Sequence, residues 1–301
     1  MSSLLCETVA GRSMAELLAG REAVAAADMV ELRLDGVADV DVAGALRLRR
    51  LPAIVTCRPV WEGGEFDGSE EERRRLLVDA LACGAEYVDI EWRAVREDSG
   101  LGGFGDLVSA HPSRVVVSVH DFTGVPADIG AEARAMRATG AAVIKVAVTA
   151  RRLSDTLPLL AIAGGGDAVV IGMGDAGVPS RLLASRFGSR WTYAGAGIAP
   201  GQVPASQMVD GFRFRSIGAQ TALYGVIGVS AMQSRLPGRF NQAFEAAGVD
   251  AVCVPLRSAD ADDVRAFTSA LGFAGVVDEH AAADHIARLL TEWMREIHEH
   301  L

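Results

Sequence analysis

The basic side chains of this 301-residue chain are almost all arginine, and a single lysine stands apart from them. Of the 29 lysines and arginines only Lys145 is a lysine, and it lies inside the apolar run 143–148. Arginine stays protonated and cannot attack a carbonyl group, whereas a lysine amine in a desolvated pocket can lose its proton and form a Schiff base. The sequence therefore predicts covalent catalysis by Lys145. The alternative is a lysine whose stem lies along a strand while its ammonium group reaches water.

Polar side chains spaced two residues apart are predicted at the ends of four neighbouring strands. They are Glu31 and Arg33, Thr56 and Arg58, Asp89 and Glu91, and Ser118 and His120. Residues two apart share one face of a strand, so we expect these pairs and Lys145 to line one pocket. On the strand next to Lys145, His120 could move protons while Glu91 holds its ring and tautomer. Taken alone, His120 could also be a structural histidine held by hydrogen bonds.

Eight short apolar runs alternate with amphipathic segments through the first two thirds of the chain. The predicted strands span residues 4–9, 29–34, 53–57, 87–91, 115–120, 143–148, 168–173 and 191–194. Crossover helices are predicted over residues 13–26, 69–83, 127–139 and 151–163. Eight strand and helix units in residues 1–219 predict an α/β fold, a (β/α)8 TIM barrel with its active site at the carboxyl ends of the strands. The alternative is a doubly wound open sheet.

The composition is that of a globular protein with an acidic surface. Hydrophobic residues make up 50% of the chain, charged residues make up 23%, and the net charge is −10. This charge argues against a nucleic-acid partner, although an arginine-lined pocket could still bind a small anion. The four cysteines show no C-x-x-C spacing, so free thiols in a reducing compartment are expected. We find no signal-peptide pattern and no apolar run of about 18 residues, which predicts a cytoplasmic protein without membrane contact.

Several motifs follow one another between about residues 4 and 219. They are V-E-L-R-L-D at 30–35, T-C-R-P at 56–59 followed by E-G-G at 62–64, V-D-I-E at 88–91, S-V-H-D-F at 118–122, I-K-V-A at 144–147, G-V-P-S-R at 177–181, F-G-S-R-W-T-Y-A at 187–194 and A-P-G-Q at 199–202. In this order they resemble type I 3-dehydroquinate dehydratases, which are Schiff-base (β/α)8-barrel enzymes of the shikimate pathway.

The resemblance implies the dehydration of 3-dehydroquinate to 3-dehydroshikimate without a cofactor or a metal ion. It implies that Lys145 forms an imine with the substrate ketone, that His120 transfers protons at C2 and at the C1 hydroxyl, and that Glu91 orients His120. The implied substrate-binding residues are Arg181 as the main partner of the carboxylate, Arg58 and Gln202 at the same end, and Glu31 and Arg33 at the ring hydroxyls. A guanidinium also suits a carboxylate on general grounds, which supports Arg181 and Arg58 independently.

Two local patterns qualify this interpretation. Ile198 occupies a position where the family usually has a small hydroxyl residue, in a loop that closes over the substrate, so weaker closure is expected. Residues 172–177 match G-x-G-x-x-G, a pattern of dinucleotide-binding turns, but no acidic residue follows about 20 residues later. We interpret this segment as the turn after the seventh strand that presents Arg181.

Residues 220–301 have a different pattern and predict a small α/β appendage. From about 224 to 276 they resemble the start of a shikimate dehydrogenase substrate-binding domain, as in fused dehydratase–dehydrogenase proteins. Ser234 fits the first of two carboxylate-binding serines in that family, whereas Leu236 replaces the second and Phe240 replaces a histidine. The segment with the family's catalytic lysine and the NADP-binding domain do not follow. We therefore expect a truncated, degenerate segment without dehydrogenase activity.

The appendage is expected to pack rather than to catalyse. Its many apolar residues predict a hydrophobic face that is only partly covered by a last helix over 286–301, and such a face usually marks an interface, for instance of a homodimer. The late histidines (His280, His285, His298 and His300) alternate with acidic residues, which favours a solvated helix face over a metal site. Because every predicted catalytic residue precedes it, a chain ending near Thr221 is expected to keep most activity.

Two other functions remain open at this point. Some transcriptional regulators resemble inactive dehydratase and dehydrogenase domains and bind metabolites, but a regulator needs neither Lys145 nor His120, and this chain has no basic segment for reading DNA. A class I aldolase also uses a barrel lysine. The V-D-I-E and A-P-G-Q motifs and Arg181 favour dehydration of a small-molecule substrate over cleavage of a carbon–carbon bond.

Overall fold

Strands and helices alternate along the chain in the structure, a computed structural model that describes residues 2–96, 103–195, 197 and 200–299. The strands are β1 Leu4–Val9, β2 Met29–Arg33, β3 Ala53–Thr56, β4 Tyr87–Glu91, β5 Val115–Asp121, β6 Val143–Thr149, β7 Ala168–Met173, β8 Trp191–Ala194, β9 Ala222–Gly228, β10 Ala251–Arg257 and β11 Phe273–Asp278. The α-helices are α1 Met14–Ala23, α2 Val42–Leu46, α3 Glu70–Ala82, α4 Trp92–Val95, α5 Phe104–Ala110, α6 Ile129–Arg137, α7 Leu157–Ala163, α8 Val178–Leu182, α9 Ala184–Phe187, α10 Leu236–Ala246, α11 Ala261–Leu271 and α12 Ala283–Glu299.

The first eight strands form a nearly closed parallel barrel. Their order is β7-β6-β5-β4-β3-β2-β1-β8, so strands β1 to β7 each pair with their neighbours in the chain, and β1 also pairs with β8. At the remaining seam, the Arg190 N–H donates to the Ala168 carbonyl at 2.8 Å and the Val170 N–H donates to the Ser189 hydroxyl at 3.0 Å. The predicted (β/α)8 barrel is confirmed, and the open doubly wound sheet is excluded.

The predicted strands agree with the structure to within one residue at each end. The predicted helix over 151–163 differs, because it divides into a 3-10 turn, Leu153–Thr156, and helix α7. The Asp155 carboxylate accepts the N–H groups of Arg151 and Arg152 at 2.8 and 2.9 Å. The 3-10 turn therefore has an N-terminal cap of its own. Pro158 then lies in the first turn of α7, where a missing N–H is tolerated.

The barrel interior is layered along its strands. Its amino-terminal end is filled by apolar side chains, which include Cys6, Met29, Ile54, Val116 and Val143. Two residues further along the same strands the buried side chains are polar: Thr8, Glu31, Thr56, Ser118 and Lys145. Because residues two apart share a face of a strand, this change of polarity creates a polar chamber toward the carboxyl ends. The strand positions predicted to line one pocket do converge there.

The C-terminal unit, residues 220–299, is a three-stranded parallel sheet with helices α10, α11 and α12. Its strand order is β10-β9-β11. On one face, Val254 and Leu256 join the same hydrophobic core as the barrel. On the other face, Tyr224 stacks on Trp293 of α12 with ring centroids 4.1 Å apart, and Phe240 of α10 packs beside them. The expectation of an uncovered apolar face was therefore wrong, because the barrel covers one side of the sheet and two helices cover the other.

Candidate active site

A cavity of about 180 Å³ lies at the carboxyl ends of the barrel strands. Its lining includes seven of the eight residues predicted for the site: Glu31, Arg33, Arg58, His120, Lys145, Arg181 and Gln202. The eighth, Glu91, is fully buried and does not line the cavity. Thr8, Glu62, Phe122, Met173 and Tyr193 contribute further to the wall. The structure therefore brings seven of the eight predicted catalytic and binding residues to the wall of one cavity.

Lys145 extends from β6 into the barrel interior and is only 5% exposed. Its Nζ donates a hydrogen bond to Asp89 Oδ2 at 3.1 Å and lies 3.5 Å from Glu31 Oε1. The centroid of the Tyr193 ring is 4.4 Å from the same nitrogen. Two carboxylates and an aromatic face stabilise positive charge on Nζ, whether it belongs to an ammonium or to an iminium group. The alternative in which this amine reaches bulk water is therefore excluded.

Asp89 is the buried counter-ion of two cations. Besides Lys145, it accepts a hydrogen bond from Arg58 Nη2 at 2.9 Å and one from the Ser118 hydroxyl at 2.6 Å, both at Oδ1. Burial alone would raise the pKa of Asp89, but the charges of Arg58 and Lys145 outweigh burial and hold that pKa below its usual range. Asp89 therefore stays ionised, and the polar chamber keeps a fixed negative charge beside the lysine.

Arg58 is already neutralised by acidic partners within the protein. Its Nη1 donates to Glu91 Oε1 at 2.6 Å and to the Ser118 hydroxyl at 2.9 Å, while Nη2 binds Asp89. Because two carboxylates already bind this guanidinium, Arg58 would attract a substrate carboxylate less strongly than the sequence suggested. Arg58 is a buried cation that connects Asp89, Glu91 and Ser118 in the polar chamber.

The imidazole of His120 contacts Glu62, not Glu91. His120 Nδ1 lies 3.3 Å from Glu62 Oε1, and the same oxygen accepts the His120 backbone N–H at 2.9 Å. The Glu91 carboxylate instead accepts hydrogen bonds from the guanidinium groups of Arg58 and Arg73. Such charge-assisted bonds are stronger than one to a neutral imidazole, so Glu91 is not available to the histidine. The predicted partner of His120 is corrected from Glu91 to Glu62.

The protonation of this pair is set mainly by burial. Burial, followed by the positive charges of Arg58 and Lys145, holds the pKa of His120 well below its usual value. Burial also raises the pKa of Glu62 to about 7, against the opposing charge of Arg58. The imidazole is therefore neutral near neutral pH, and an ionised Glu62 beside Nδ1 can stabilise the imidazolium that forms when the ring accepts a proton.

Arg73 holds Glu91 in the core, and its loss is expected to destabilise the barrel. Its guanidinium is fully buried, lies 4.4 Å from the centroid of the Phe104 ring and donates to Glu91. Removing one member of a buried ion pair leaves a poorly compensated charge. We therefore expect Arg73→Ala to lower the free energy of unfolding by about 3 kcal/mol, measured by urea denaturation. Arg75→Ala, on the exposed face of α3, should change it by less than about 0.5 kcal/mol, and equal losses in both variants would contradict this role.

Glu31, Arg33 and Gln202 are fixed along the cavity wall by neighbouring polar groups. Glu31 Oε2 accepts from the Thr8 hydroxyl at 3.2 Å, and Gln202 Nε2 donates to the same Thr8 oxygen at 3.3 Å. Arg33 forms two hydrogen bonds with Asp35, of 2.8 and 2.7 Å. These contacts fix a carboxylate, a guanidinium and an amide on the wall of the same cavity. A polyhydroxylated molecule would find both donors and acceptors there.

Arg181 is 2% exposed and brings a cation to the cavity from helix α8. Its Nη2 donates to the Pro200 carbonyl at 3.1 Å and its Nη1 to the Tyr193 carbonyl at 3.4 Å. Its Nε finds no hydrogen-bond partner among the described residues. Burial lowers the pKa of Arg181 to about 10, which still leaves the group protonated near neutral pH. A buried guanidinium with neutral partners and a free donor is well suited to an incoming carboxylate.

The glycines of the 172–177 segment serve close packing. A Cβ on Gly177 would lie 2.3 Å from the backbone carbon of Gly172, so β7 and the following 3-10 turn, Asp175–Gly177, are in direct contact. Helix α8, with Arg181, begins immediately after this turn. The geometry agrees with the interpretation of this segment as a turn that presents Arg181.

A family model described as type I 3-dehydroquinase matches residues 5–219 of the chain. This match covers well over half of the sequence and every barrel strand. The chain belongs to the type I 3-dehydroquinase family. Membership agrees with the barrel, with the buried Lys145 and with the order of the sequence motifs.

Individual relatives extend the similarity beyond the type I 3-dehydroquinase barrel. A bifunctional 3-dehydroquinate dehydratase/shikimate dehydrogenase of Arabidopsis thaliana is 34% identical over 272 residues, which is 84% of this chain and 44% of the plant protein. A 3-dehydroquinate dehydratase of Methanothermobacter thermautotrophicus is 37% identical over 216 residues, 67% of this chain and 93% of the relative. The solved dehydroquinate dehydratase and shikimate dehydrogenase of S. pombe shares the fold over 92% of this chain and 57% of its own, with a TM-score of 0.58 at 20% identity.

Sequence reasoning about this type I 3-dehydroquinase missed several residues of the site, among them Glu62, Tyr193 and Thr8. Glu62 lies within the E-G-G motif, which drew attention to the segment but gave no role for the carboxylate. Tyr193, within W-T-Y-A, looked like an ordinary buried aromatic residue, and Thr8 carried no motif. The predicted effect of Ile198 on loop closure concerns a residue outside the described part of the chain.

The described residues contain neither a group of metal ligands nor a membrane-spanning helix. No group of three or more His, Cys, Asp or Glu side chains there could hold a metal ion. No described helix is long and apolar enough to cross a membrane. Of the late histidines, His280 is exposed beside Glu279, and His285 contacts Arg288 within α12.

Proposed function

We propose that the protein is a type I 3-dehydroquinate dehydratase that converts 3-dehydroquinate to 3-dehydroshikimate in the shikimate pathway through a Schiff base on Lys145. The observation that carries this proposal is the amine of Lys145, buried between two carboxylates in the cavity that also contains His120 and Arg181. Family membership and the names of the relatives support the choice of substrate.

The first chemical step is addition of Lys145 Nζ to the C3 carbonyl of the substrate. The proton that the ammonium group gives up before attack returns to the carbinolamine hydroxyl, which leaves as water and gives an iminium group that withdraws electrons from the neighbouring C2. Asp89 and Glu31 lie close enough to this nitrogen to stabilise its positive charge. The carboxylate of the substrate would bind the guanidinium of Arg181 and so direct the ring into the polar chamber.

Proton transfer then falls to His120, with Glu62 as its positioning partner. The neutral imidazole takes the C2 proton, and the electrons of the broken C–H bond move toward the iminium nitrogen to give an enamine. The resulting imidazolium protonates the departing C1 hydroxyl, and the enamine electrons re-form the iminium as water leaves. Hydrolysis of that iminium releases the product and restores the Lys145 amine.

We also propose that the C-terminal unit has no shikimate dehydrogenase activity. Ser234 uses its hydroxyl to accept the backbone N–H of Leu236 at 3.2 Å, and Leu236 and Phe240 are buried where that family has polar residues. The only lysine of this chain, Lys145, already belongs to the barrel. Shikimate-dependent reduction of NADP would contradict this proposal.

The direct test of the dehydratase is to incubate the purified protein with 3-dehydroquinate and follow the conjugated product by its ultraviolet absorbance and by NMR. We expect one product that has lost a molecule of water and retains all the carbon atoms. Two carbon fragments would indicate an aldolase, and tight binding without turnover would indicate a metabolite-binding regulator. Either result would refute the proposed activity.

Glu62→Gln is expected to change the pH dependence of the reaction. Because the pKa of Glu62 is raised to about 7, the carboxylate form, which best supports the imidazolium of His120, predominates above that pH and is lost below it. In the wild type, kcat/KM should therefore rise as the pH increases through this value. The amide cannot ionise, so the variant should lack this rise and lose at least about tenfold in kcat/KM above neutral pH. An unchanged profile would show that another group titrates there.

A further inference from the structure

The loops that follow β6 and β7 are in contact with the C-terminal unit. The 3-10 turn Leu153–Thr156 follows β6, the strand that carries Lys145, and helix α8 with Arg181 follows β7. Helix α11 packs against this 3-10 turn, and β10 packs against α8. The C-terminal unit therefore touches both segments that lead away from these two strands at the active-site end of the barrel.

Asp263 of α11 makes the central contact. Its Oδ2 accepts the Leu153 N–H at 3.1 Å, and its Oδ1 accepts the Ser154 N–H at 2.9 Å. The carboxylate is 2% exposed, and the Ser258 hydroxyl donates to it at 2.9 Å. Backbone N–H groups at the start of a helical turn have no acceptor within that turn and need one from elsewhere. For the turn after β6, that acceptor belongs to the C-terminal unit.

The turn is packed on the wall of the cavity. A Cβ on Gly172 would come within 2.8 Å of the Thr156 side chain, so the turn lies directly against β7. Just before the turn, the Ala150 N–H donates to the Met173 carbonyl at 3.0 Å, and Met173 lines the cavity. A displacement of the turn would therefore also displace the end of β7, which leads into α8 and Arg181.

Two further contacts connect the C-terminal unit to the α8 side of the barrel. Arg257, at the end of β10, lies with its Nε 3.5 Å from Asp175 in the turn before α8. Arg186 of α9 donates to the carbonyls of Thr221 and Leu271, both at 3.0 Å. The same unit is thus attached both before and after the helix that carries Arg181.

We propose that the C-terminal unit holds the substrate-binding side of the active site in place, with Asp263 as a positioning residue for the turn after β6 and, through β7, for Arg181. The inference rests on the proposed dehydratase activity and adds a function for a segment that resembles a dehydrogenase. It also changes the expectation for a chain that ends near Thr221. Such a chain lacks the acceptor for the Leu153 and Ser154 N–H groups and is expected to bind substrate poorly.

The test compares Asp263→Asn with Asp262→Asn in the full-length protein. Asparagine keeps the shape of the side chain but removes the charge and one of the two acceptor oxygens. We expect KM for 3-dehydroquinate to rise about tenfold while kcat stays within about twofold, because binding geometry changes and the nucleophile does not. Asp262 is the matched control, since its side chain is 82% exposed and pairs with Arg265. Asp262→Asn should leave both constants unchanged.

Hydrogen exchange measured by mass spectrometry provides a readout that needs no substrate. Peptides covering residues 149–182 should exchange faster in Asp263→Asn than in the wild type and in Asp262→Asn. Wild-type KM together with wild-type exchange would overturn the proposal, and so would a fall in kcat at unchanged KM. If the wild type showed no turnover, the proposed function would be refuted, and the exchange data alone would still decide whether Asp263 orders this segment.

A second variant covers the case in which Asp263→Asn does not fold. Arg257→Gln removes the contact with Asp175, and both side chains are about half exposed, at 45% and 51%. We expect a rise in KM of about threefold with unchanged kcat and faster exchange in peptides over 174–182. Unchanged KM and exchange in this variant would contradict the attachment of the C-terminal unit to the Arg181 helix.

Discussion

Lys145→Arg is expected to reduce turnover of 3-dehydroquinate on the order of 10⁶-fold, the loss typical of removing a covalent nucleophile. Arginine keeps the positive charge near Asp89 and Glu31, so the charge balance of the chamber is largely retained. The guanidinium nevertheless cannot form a Schiff base. Because the chain has no second lysine, the α-amino group is the only other aliphatic amine.

The measurement for this variant is steady-state turnover, together with circular dichroism and thermal unfolding to show that the barrel is intact. Lys145→Met serves as the second variant, because it removes the charge as well as the nucleophile. If charge balance alone mattered, the arginine variant would be active and the methionine variant inactive. Turnover comparable to the wild type in Lys145→Arg would refute covalent catalysis by this residue.

His120→Ala is expected to lower kcat roughly 10²–10⁴-fold, the usual contribution of a positioned acid–base group. The imidazole is the neutral base at the cavity, because burial and nearby positive charges hold its pKa well below the usual value. The Lys145 amine and its carboxylate neighbours are untouched by this change. The imine should therefore still form and accumulate, so borohydride should still trap it.

The division of roles between the two residues follows from measuring turnover and trapping in the same His120→Ala sample. Slow turnover with full trapping is the expected result. If trapping fell in parallel with turnover, His120 would also be needed for imine formation and the assignment would have to change. Turnover near the wild-type level would exclude His120 from proton transfer.

The parts of the fold and site that follow from alternation along strands were predictable. The eight barrel strands, and the convergence of Glu31, Ser118 and Lys145 in one chamber, depend on a two-residue period that the sequence displays. The end of the barrel that carries the site followed from the general rule for (β/α)8 barrels, and the polar pairs at the ends of the strands agreed with it.

The partner of His120 could not be predicted in this way. Glu91 ends the strand next to His120, so strand adjacency favoured it, whereas Glu62 comes from a 3-10 turn without any periodic signal. The decisive factor is competition between charges, because Arg58 and Arg73 engage both oxygens of Glu91. Neither pairing can be read from the linear sequence, because Arg58 follows β3, Arg73 lies in helix α3 and Glu91 ends β4.

The contacts between the C-terminal unit and the barrel could not be predicted from the sequence either. Its apolar residues suggested an open face, but the side chains of Val254 and Leu256 pack into the core that the barrel already provides. In the sequence, Asp263 is one of three aspartates within residues 260–263, and nothing there distinguishes it from the other two. Its burial against Leu153 depends on how two units dock, which neither hydrophobic period nor helix capping signals specify.

Borohydride reduction of the wild-type protein in the presence of 3-dehydroquinate, followed by intact mass measurement and peptide mapping, tests the central claim most directly. We predict a single covalent adduct per chain, on the peptide that contains Lys145, and none when borohydride or substrate is omitted. No adduct under conditions of active turnover, or an adduct at the amino terminus with Lys145 unmodified, would contradict the Schiff-base mechanism proposed for this site.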